Sequence, residues 1–425
     1  SILGHIRFVM KQNQVKKNIV LLAIVQITNY AFPLITFPYL SRVLGPHGFG
    51  EIALAQSVII YMTSFVDFGF NLTSTRKISI YNQENNQQKI NEVYTDTIFS
   101  KSLLLLISAL ASLILVLSVK PLNNVSSLII VGYISVIGSV LFPIWLFQGL
   151  QIMKGVVITT TTAKIISICL IFVLVHDQHD TFYAMFATSL GVGISGIISL
   201  WYVRKLGKVC FEKMDVSRAY KLTKEAYPIF LSFIGSSVYT TLNSFILSFF
   251  VPVAAIGIYS GADRIRSVSQ SLLVPMQQAI YPHLAGELKN KDSYIKGMYK
   301  YGTIFFVVSL CISLFLAFLS PQIIHVLLGN KFDQSFRILL LLAPLPTIVS
   351  LAIVFGQWGL VNIGSGHVLS RIYLLSAFVH LLHVFIMCYF WGIYGAAISV
   401  MFTETLVTAL IIIGFFREYK KWKLK

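Results

Sequence analysis

Residues 97–119 read TIFSKSLLLLISALASLILVLSV, and from Ser102 onward that stretch runs for eighteen residues without a charge. A helix rises about 1.5 Å per residue, so about 20 such residues cross the roughly 30 Å hydrocarbon core of a bilayer. Outward from this stretch the same kind of run recurs. Apolar segments fall near 17–40, 50–75, 97–119, 125–148, 156–176, 181–203, 226–250, 254–282, 300–320, 336–360, 368–390 and 392–416, which makes about twelve candidate spans. Hydrophobic residues fill 56% of the 425 positions and charged residues 12%, about half the charged share of a soluble domain. Water is not the main solvent of this chain.

A net charge of +17 resembles a nucleic-acid signature until its distribution is read. The segments that alternate to one side of the predicted spans hold 26 Lys and Arg, including Arg7, Lys11, Lys16 and Lys17 at the start, seven between Arg204 and Lys224, and five from Arg417 to Lys425. The opposite segments hold four: Arg42, Lys120, Lys331 and Arg337. This bias places both termini in the cytoplasm of a bacterial inner membrane. The basic excess meets anionic headgroups, not nucleic acid. The first apolar stretch contains Asn29 and Pro33 and lacks a cleavage site, so it reads as a span and not a signal peptide. Ser1 stands where a start residue was removed or replaced. Cys169, Cys210, Cys311 and Cys388 show no motif spacing, so neither a disulfide frame nor a metal site is expected.

The basic segment 204–225 divides the spans six and six. The expected architecture is all-α: two six-helix bundles around a central cleft, with residues 1–208 forming the first lobe, 209–225 a cytoplasmic linker and 226–425 the second lobe. At an offset of 207, Phe49-Gly50-Glu51-Ile52 answers Ile256-Gly257-Ile258-Tyr259, a trace of duplication. Four spans carry polar stripes at helical spacing. They are Gln26, Asn29 and Thr36; Gln56, Thr63, Asp67 and Asn71; Ser232, Ser236, Tyr239 and Asn243; and Ser260, Arg264, Ser267, Ser271 and Gln278. Singly, such residues serve as interhelical glue. Together, in equivalent spans of two halves, they are expected to line a cleft.

A charge at mid-bilayer costs about 2.5–3.5 kcal/mol on insertion scales, so each embedded charge needs a reason. Asp67, Lys164, Asp263, Arg264, Arg266 and Glu404 qualify. Residues two apart on a helix point about 200° away from each other, so Arg264 takes the polar stripe and Arg266 faces a neighbouring helix, with Asp263 available to either. A guanidinium fork binds phosphate oxygens at two points and stays charged. Lys164 is close enough to the cytoplasmic face to snorkel. Asp67, Asp263 and Glu404 are candidate ion-coupling groups or partners for the cations. His380 and His383 share one face of a span and read as core residues ahead of a proton relay. His176 and His179 flank a short exposed loop without a third anchored ligand. No P-loop, nucleophile elbow or HExxH motif is present, so no cofactor is expected.

The segment from Phe32 to Gly50, FPLITFPYLSRVLGPHGFG, resembles the first hairpin of bacterial polysaccharide repeat-unit flippases. So do Phe65–Thr73, Pro143–Gly149 and Gln277–Pro282. The chain is therefore identified as similar to the O-antigen flippase branch of the multidrug/oligosaccharidyl-lipid/polysaccharide exporter superfamily. That resemblance implies a cationic cavity and passage of an undecaprenyl-diphosphate-linked oligosaccharide between leaflets by alternating access, coupled to an ion gradient. Arg42 joins Arg264, Arg266 and Lys164 as a candidate for the cavity charge, with Asn29, Tyr239, Asn243 and Gln278 as polar contacts. The implied partners are the lipid-linked oligosaccharide, membrane lipids, and the polymerase and chain-length proteins of the same route. Pro33, Pro38, Pro228 and Pro275 read as hinges. A multidrug antiporter of the same superfamily is the rival reading; a membrane polymerase or transferase lacks its expected outward loop or acidic motif.

Overall fold

The structure is a computed structural model that describes residues 2–207, 209–288 and 290–424, with side chains described from Ile27 onward except that of Pro282. The expectations resting on Arg7, Lys11, Lys16, Lys17, Gln26, Lys208, Pro282, Lys289 and Lys425 lie outside the described residues or side chains. All regular structure among the described residues is helical. The chain divides into two compact units, residues 1–36 with 58–230 and residues 37–57 with 231–425.

The first unit contains the outer parts of α1 (Ile2–Asp67), then α2 (Phe70–Gln83), α3 (Gln87–Ser118), α4 (Lys120–Asn124), α5 (Ser126–Leu141), α6 (Ile144–Gly149), α7 (Met153–Leu174), α8 (Thr181–Leu206) and the start of α9 (Val216–Thr241). The Asn86 side chain caps α3 by accepting from the Lys89 amide at 3.1 Å. Along α3 the exposed face is Leu103, Leu106, Leu110, Leu113 and Leu117, while Ser100, Lys101, Ser108 and Ser112 are buried. That is the reverse of a water-soluble helix. Lipid accepts the leucines, and the serines find partners inside: Tyr133 bonds the Ser112 hydroxyl at 2.6 Å and donates to the Ser108 carbonyl at 2.7 Å. Between α5 and α8 the backbones meet through Gly138 and Gly196; a Cβ on Gly196 would lie 2.7 Å from the Gly138 oxygen.

The second unit contains residues 37–57 of α1, the end of α9, α10 (Asn243–Leu247), α11 (Val253–Ser271), α12 (Val274–Gly286), α13 (Lys291–Leu327), α14 (Ser335–Leu342), α15 (Leu345–Ala352), a π-helical stretch Ile353–Val361 and α16 (Gly366–Leu424). Its core runs through Leu316, Phe332, Leu339, Val384 and Ala396, with a second cluster around Trp358, Phe305 and Phe415.

Eight helices among the described residues are long and apolar enough to cross a membrane, where the sequence suggested twelve. Two of the eight run for 57 and 59 residues, about twice a span. Each turns back at a glycine. Gly45 has φ 67° and ψ −178°, and the Phe37 and Phe49 rings pack across it at a tilt of 55°, their centroids 5.4 Å apart. Gly392 has φ 52° and ψ −127°, and His380 bonds Thr403 at 2.7 Å across it. The prolines Pro33 and Pro38 expected as hinges lie inside continuous helix, and Pro228 lies within α9. The predicted spans 226–250 and 254–282 correspond to α9–α10 and α11–α12, which are not among the eight. Asp263, Arg264 and Arg266 on α11 and the Ser, Thr and Tyr content of α9 make these the least apolar of the expected crossings.

Candidate functional site

In the first unit the predicted residues form two separate arrangements. Lys164 on α7 donates to the Asn29 side chain on α1, with its ammonium 5.9 Å from the centre of the Phe32 ring. No carboxylate lies within ion-pair reach of Lys164 among the described residues. Asp67, near the end of α1, pairs with Lys101 of α3 at 2.8 Å. Lys101 is 1% exposed and also donates to the Ser139 carbonyl at 2.9 Å. Although Lys101 stands at the start of its apolar run, α3 carries it into the interior. Asp67 is 34 positions away, and no local spacing announces the pair.

In the second unit α11 presents its charges as the helical angle requires. Arg266 takes Asp263 through Nε at 2.9 Å and Nη2 at 2.7 Å, and its Nη1 donates to Gln270 at 2.7 Å. Arg264 points elsewhere. Its guanidinium lies 5.0 Å over the Phe37 ring, is exposed, and has no carboxylate within ion-pair reach among the described residues. Arg42 donates to the carbonyl of Val326, at the negative end of α13. Gln278 is exposed on α12, and its neighbour Gln277 bonds Gln357.

Tyr239 and Asn243 are buried, at 2% and 4% exposure. They belong to a network the sequence only partly announced. The Asn243 Nδ2 donates to the Tyr239 carbonyl at 2.8 Å, and its Oδ1 lies 3.2 Å from His380 Nε2. His380 Nδ1 meets Thr403 at 2.7 Å, and Thr403 meets His383 Nε2 at 3.2 Å. Glu404 follows directly in the chain. It forms no ion pair among the described residues, although it interacts electrostatically with Arg266, Tyr239 and Tyr373. Of the three predicted ion-coupling carboxylates, Asp67 and Asp263 are thus neutralised by a cation and Glu404 is not. A recess of about 570 Å³ beside Gly392, lined by Val251, Pro252, Phe390, Trp391 and Tyr394 among others, is apolar and holds none of these residues.

Leucine stripes turned to lipid, helical hairpins folded at glycine, and charges held inside apolar helices define a multi-pass membrane protein. Its fold is shared with solved transporters: a multidrug resistance MATE family transporter of the MOP superfamily in its inward-facing conformation aligns at TM-score 0.77 over 96% of this chain and 99% of that one, at 14% identity. The outward-facing conformation of such a transporter aligns at TM-score 0.62 over 94% and 96%, also at 14% identity. Residues 15–286 match the polysaccharide biosynthesis protein family. Two proteins named "Putative O-antigen transporter" are similar over nearly their whole length. That of Shigella dysenteriae is 37% identical over 93% of this chain and 99% of its own, and that of Escherichia coli (strain K12) is 32% identical over 95% and 97%. The chain belongs to the polysaccharide biosynthesis protein family, and its likeness to the two O-antigen transporters covers nearly all of it.

Proposed function

We propose that this protein carries undecaprenyl-diphosphate-linked O-antigen oligosaccharide units from the cytoplasmic to the periplasmic leaflet of the inner membrane. Transport proceeds by alternating access across twelve spans with both termini in the cytoplasm, and an ion gradient drives it. The O-antigen transporter names of the two relatives support the cargo. The observation that carries the reading is the condition of the embedded cations. Lys101 and Arg266 are neutralised by Asp67 and Asp263, whereas Arg264 and Lys164 are left without a carboxylate among the described residues. An uncompensated guanidinium within a membrane protein is costly unless an anion meets it in use. A diphosphate supplies that anion, and its polyprenyl tail never has to leave hydrocarbon. The planar fork of Arg264 matches two phosphate oxygens at once.

The test is reconstitution of the full chain in vesicles with an undecaprenyl-diphosphate-linked oligosaccharide whose sugar is cut by an enzyme added outside. The wild-type chain should expose the probe with time. Arg264→Ala should abolish that exposure at normal protein level, and Arg264→Lys should restore only part of it. Full exposure by Arg264→Ala would remove this residue from the site.

A further inference from the structure

The second unit holds a buried chain of hydrogen bonds whose protons can be counted. Asn243 Nδ2 points at the Tyr239 carbonyl, which only accepts, so the amide orientation is set. Its Oδ1 must then accept from His380, which makes His380 Nε2 an N–H donor. The other nitrogen, Nδ1, meets the Thr403 hydroxyl at 2.7 Å. That hydroxyl has one hydrogen and three neighbours: His380 Nδ1, His383 Nε2 at 3.2 Å and the Ser399 carbonyl at 2.9 Å. His383 Nδ1 reaches the Ser399 hydroxyl at 3.2 Å.

Two arrangements satisfy every group without moving a heavy atom. In the first, the Thr403 hydroxyl donates to a neutral His380 Nδ1 and accepts from His383 Nε2–H. In the second, a proton has been added to His380 Nδ1, which now donates to Thr403. The Thr403 hydrogen has rotated to the Ser399 carbonyl, and its two lone pairs accept from both imidazoles. The two states differ by one proton on His380 and one rotation of a hydroxyl.

We infer that His380, Thr403 and His383 form a proton-binding site in the second unit, with Thr403 as the rotor that lets the buried pair hold one proton more or fewer. His380 and Thr403 are wholly buried, and Asn243 nearly so, so the proton is held away from bulk water. The surrounding charged and titratable groups are few. Tyr239 comes from α9, its ring 6.2 Å from that of His380. Of the elements packed against α16, α11 carries Tyr259, Arg264 and the Asp263–Arg266 pair and α14 carries Arg337, while α16 itself carries Tyr373, His383, Cys388 and Glu404. The His383 ring lies 5.3 Å from His380, close enough that both cannot be charged at once without strong repulsion. Glu404 follows Thr403 in the chain, forms no ion pair among the described residues and interacts electrostatically with Arg266.

The use of this site in driving transport rests on the function proposed above, but its existence does not. The measurement is ¹⁵N NMR of histidine-labelled full chain in lipid nanodiscs from pH 8 down to about pH 3. On acidification His380 Nδ1 should pass from acceptor to donor while Nε2 stays protonated. Thr403→Ser should keep the wild-type midpoint. Thr403→Val should lower it by on the order of one pH unit, because the donor Nδ1–H loses its acceptor. Nitrogens of His380 that do not change over that range overturn the proposal, as does an unshifted midpoint in Thr403→Val. The vesicle assay then separates the two claims. A wild-type chain that titrates at His380 but does not expose the lipid-linked probe refutes the cargo and leaves the proton site standing. A His380→Gln chain whose transport still responds fully to a pH gradient refutes the role of the site in coupling while the cargo stands.

Discussion

Gly50 and Gly257 meet reciprocally across two helices of the second unit. A Cβ on Gly50 would fall 2.0 Å from the Val253 carbonyl oxygen, and one on Gly257 would fall 1.9 Å from the Pro46 carbonyl oxygen. The two pairs are equivalent at the offset of 207 seen in the sequence, since Pro46 corresponds to Val253 and Gly50 to Gly257. A contact in which one residue touches the equivalent of its partner's neighbour, and the reverse, is what a two-fold axis between repeats produces. The short likeness around Phe49 and Ile256 therefore marks the place where equivalent helices cross with no side chain between them.

Adding a methyl at either glycine must push the two backbones apart, because the clashing atoms are carbonyl oxygens and not flexible side chains. Gly50→Ala and Gly257→Ala should each lower stability by about 1–3 kcal/mol. The double variant should cost clearly less than the sum, because the first methyl already separates the helices. Thermal unfolding of the purified protein in detergent reads this directly; strict additivity would show that the two positions do not share one contact.

Gly45 makes a different demand. A Cβ there would meet nothing closer than 3.7 Å, yet φ 67° with ψ −178° is a backbone conformation that essentially only glycine adopts. Gly45→Ala should therefore cost about 1–3 kcal/mol through strain alone. Its effect should add independently to that of a Phe49→Leu change in packing, and a neutral Gly45→Ala would mean that the hairpin turn is elsewhere.

The Asp67–Lys101 pair should behave as a buried ion pair. Asp67→Asn leaves the buried Lys101 without its carboxylate, and stranding a buried charge in this way costs about 3–5 kcal/mol. The double variant Asp67→Asn with Lys101→Met should recover most of that loss. Yield and melting temperature of these variants decide the matter; equal loss in the single and double variants would deny the coupling.

Membrane class, helix positions and the split of Asp263, Arg264 and Arg266 were legible because each rests on local spacing. Apolar runs identify spans, and the helical angle alone sends Arg264 and Arg266 to different sides. The partners of Lys101, Asp96 and His380 were not legible. Asp96 finds Arg218 at a separation of 122 residues and His380 finds Asn243 at 137, and nothing local encodes such distances. Membrane helices tolerate proline, so Pro33 and Pro38 pass through without a break while Gly45 turns the chain, and Pro275 stands in the first turn of α12.

The loop between α7 and α8 offers a pH test. Asp180 accepts from the amides of His176 and Asp177, each at 2.8 Å, and these bonds hold its carboxyl below the ordinary value of 3.8. A depressed folded value means the stabilisation is complete above 3.8 and is lost as pH falls through the lower folded value. The two amides should keep their hydrogen-exchange protection, corrected for intrinsic rate, from neutrality to about pH 4 and lose it below. Loss already near pH 6 would implicate the histidines of the loop instead.

The Arg218–Asp96 pair ties the start of α9 to α3. Arg218 reaches both carboxylate oxygens, Nε to Oδ2 at 2.9 Å and Nη2 to Oδ1 at 3.2 Å, and also donates to the Lys213 carbonyl at 3.0 Å. The hydrogen bond to Asp96 raises the already high pKa of Arg218, so this attachment does not loosen at physiological pH. Asp96 is 4% exposed, and this fork meets both oxygens of its carboxylate. Arg218→Lys keeps the charge but cannot span both oxygens while holding Lys213, so it should lose about 1.5–3 kcal/mol of the attachment. Arg218→Ala should lose more, because it strands a buried carboxylate, and pairing it with Asp96→Asn should return part of the loss. Trypsin cleavage between Lys205 and Lys213 in membrane fragments open on both sides measures the attachment. Cleavage should accelerate in the order wild type, Arg218→Lys, Arg218→Ala, and equal rates in all three would show that the segment is held by something other than this fork.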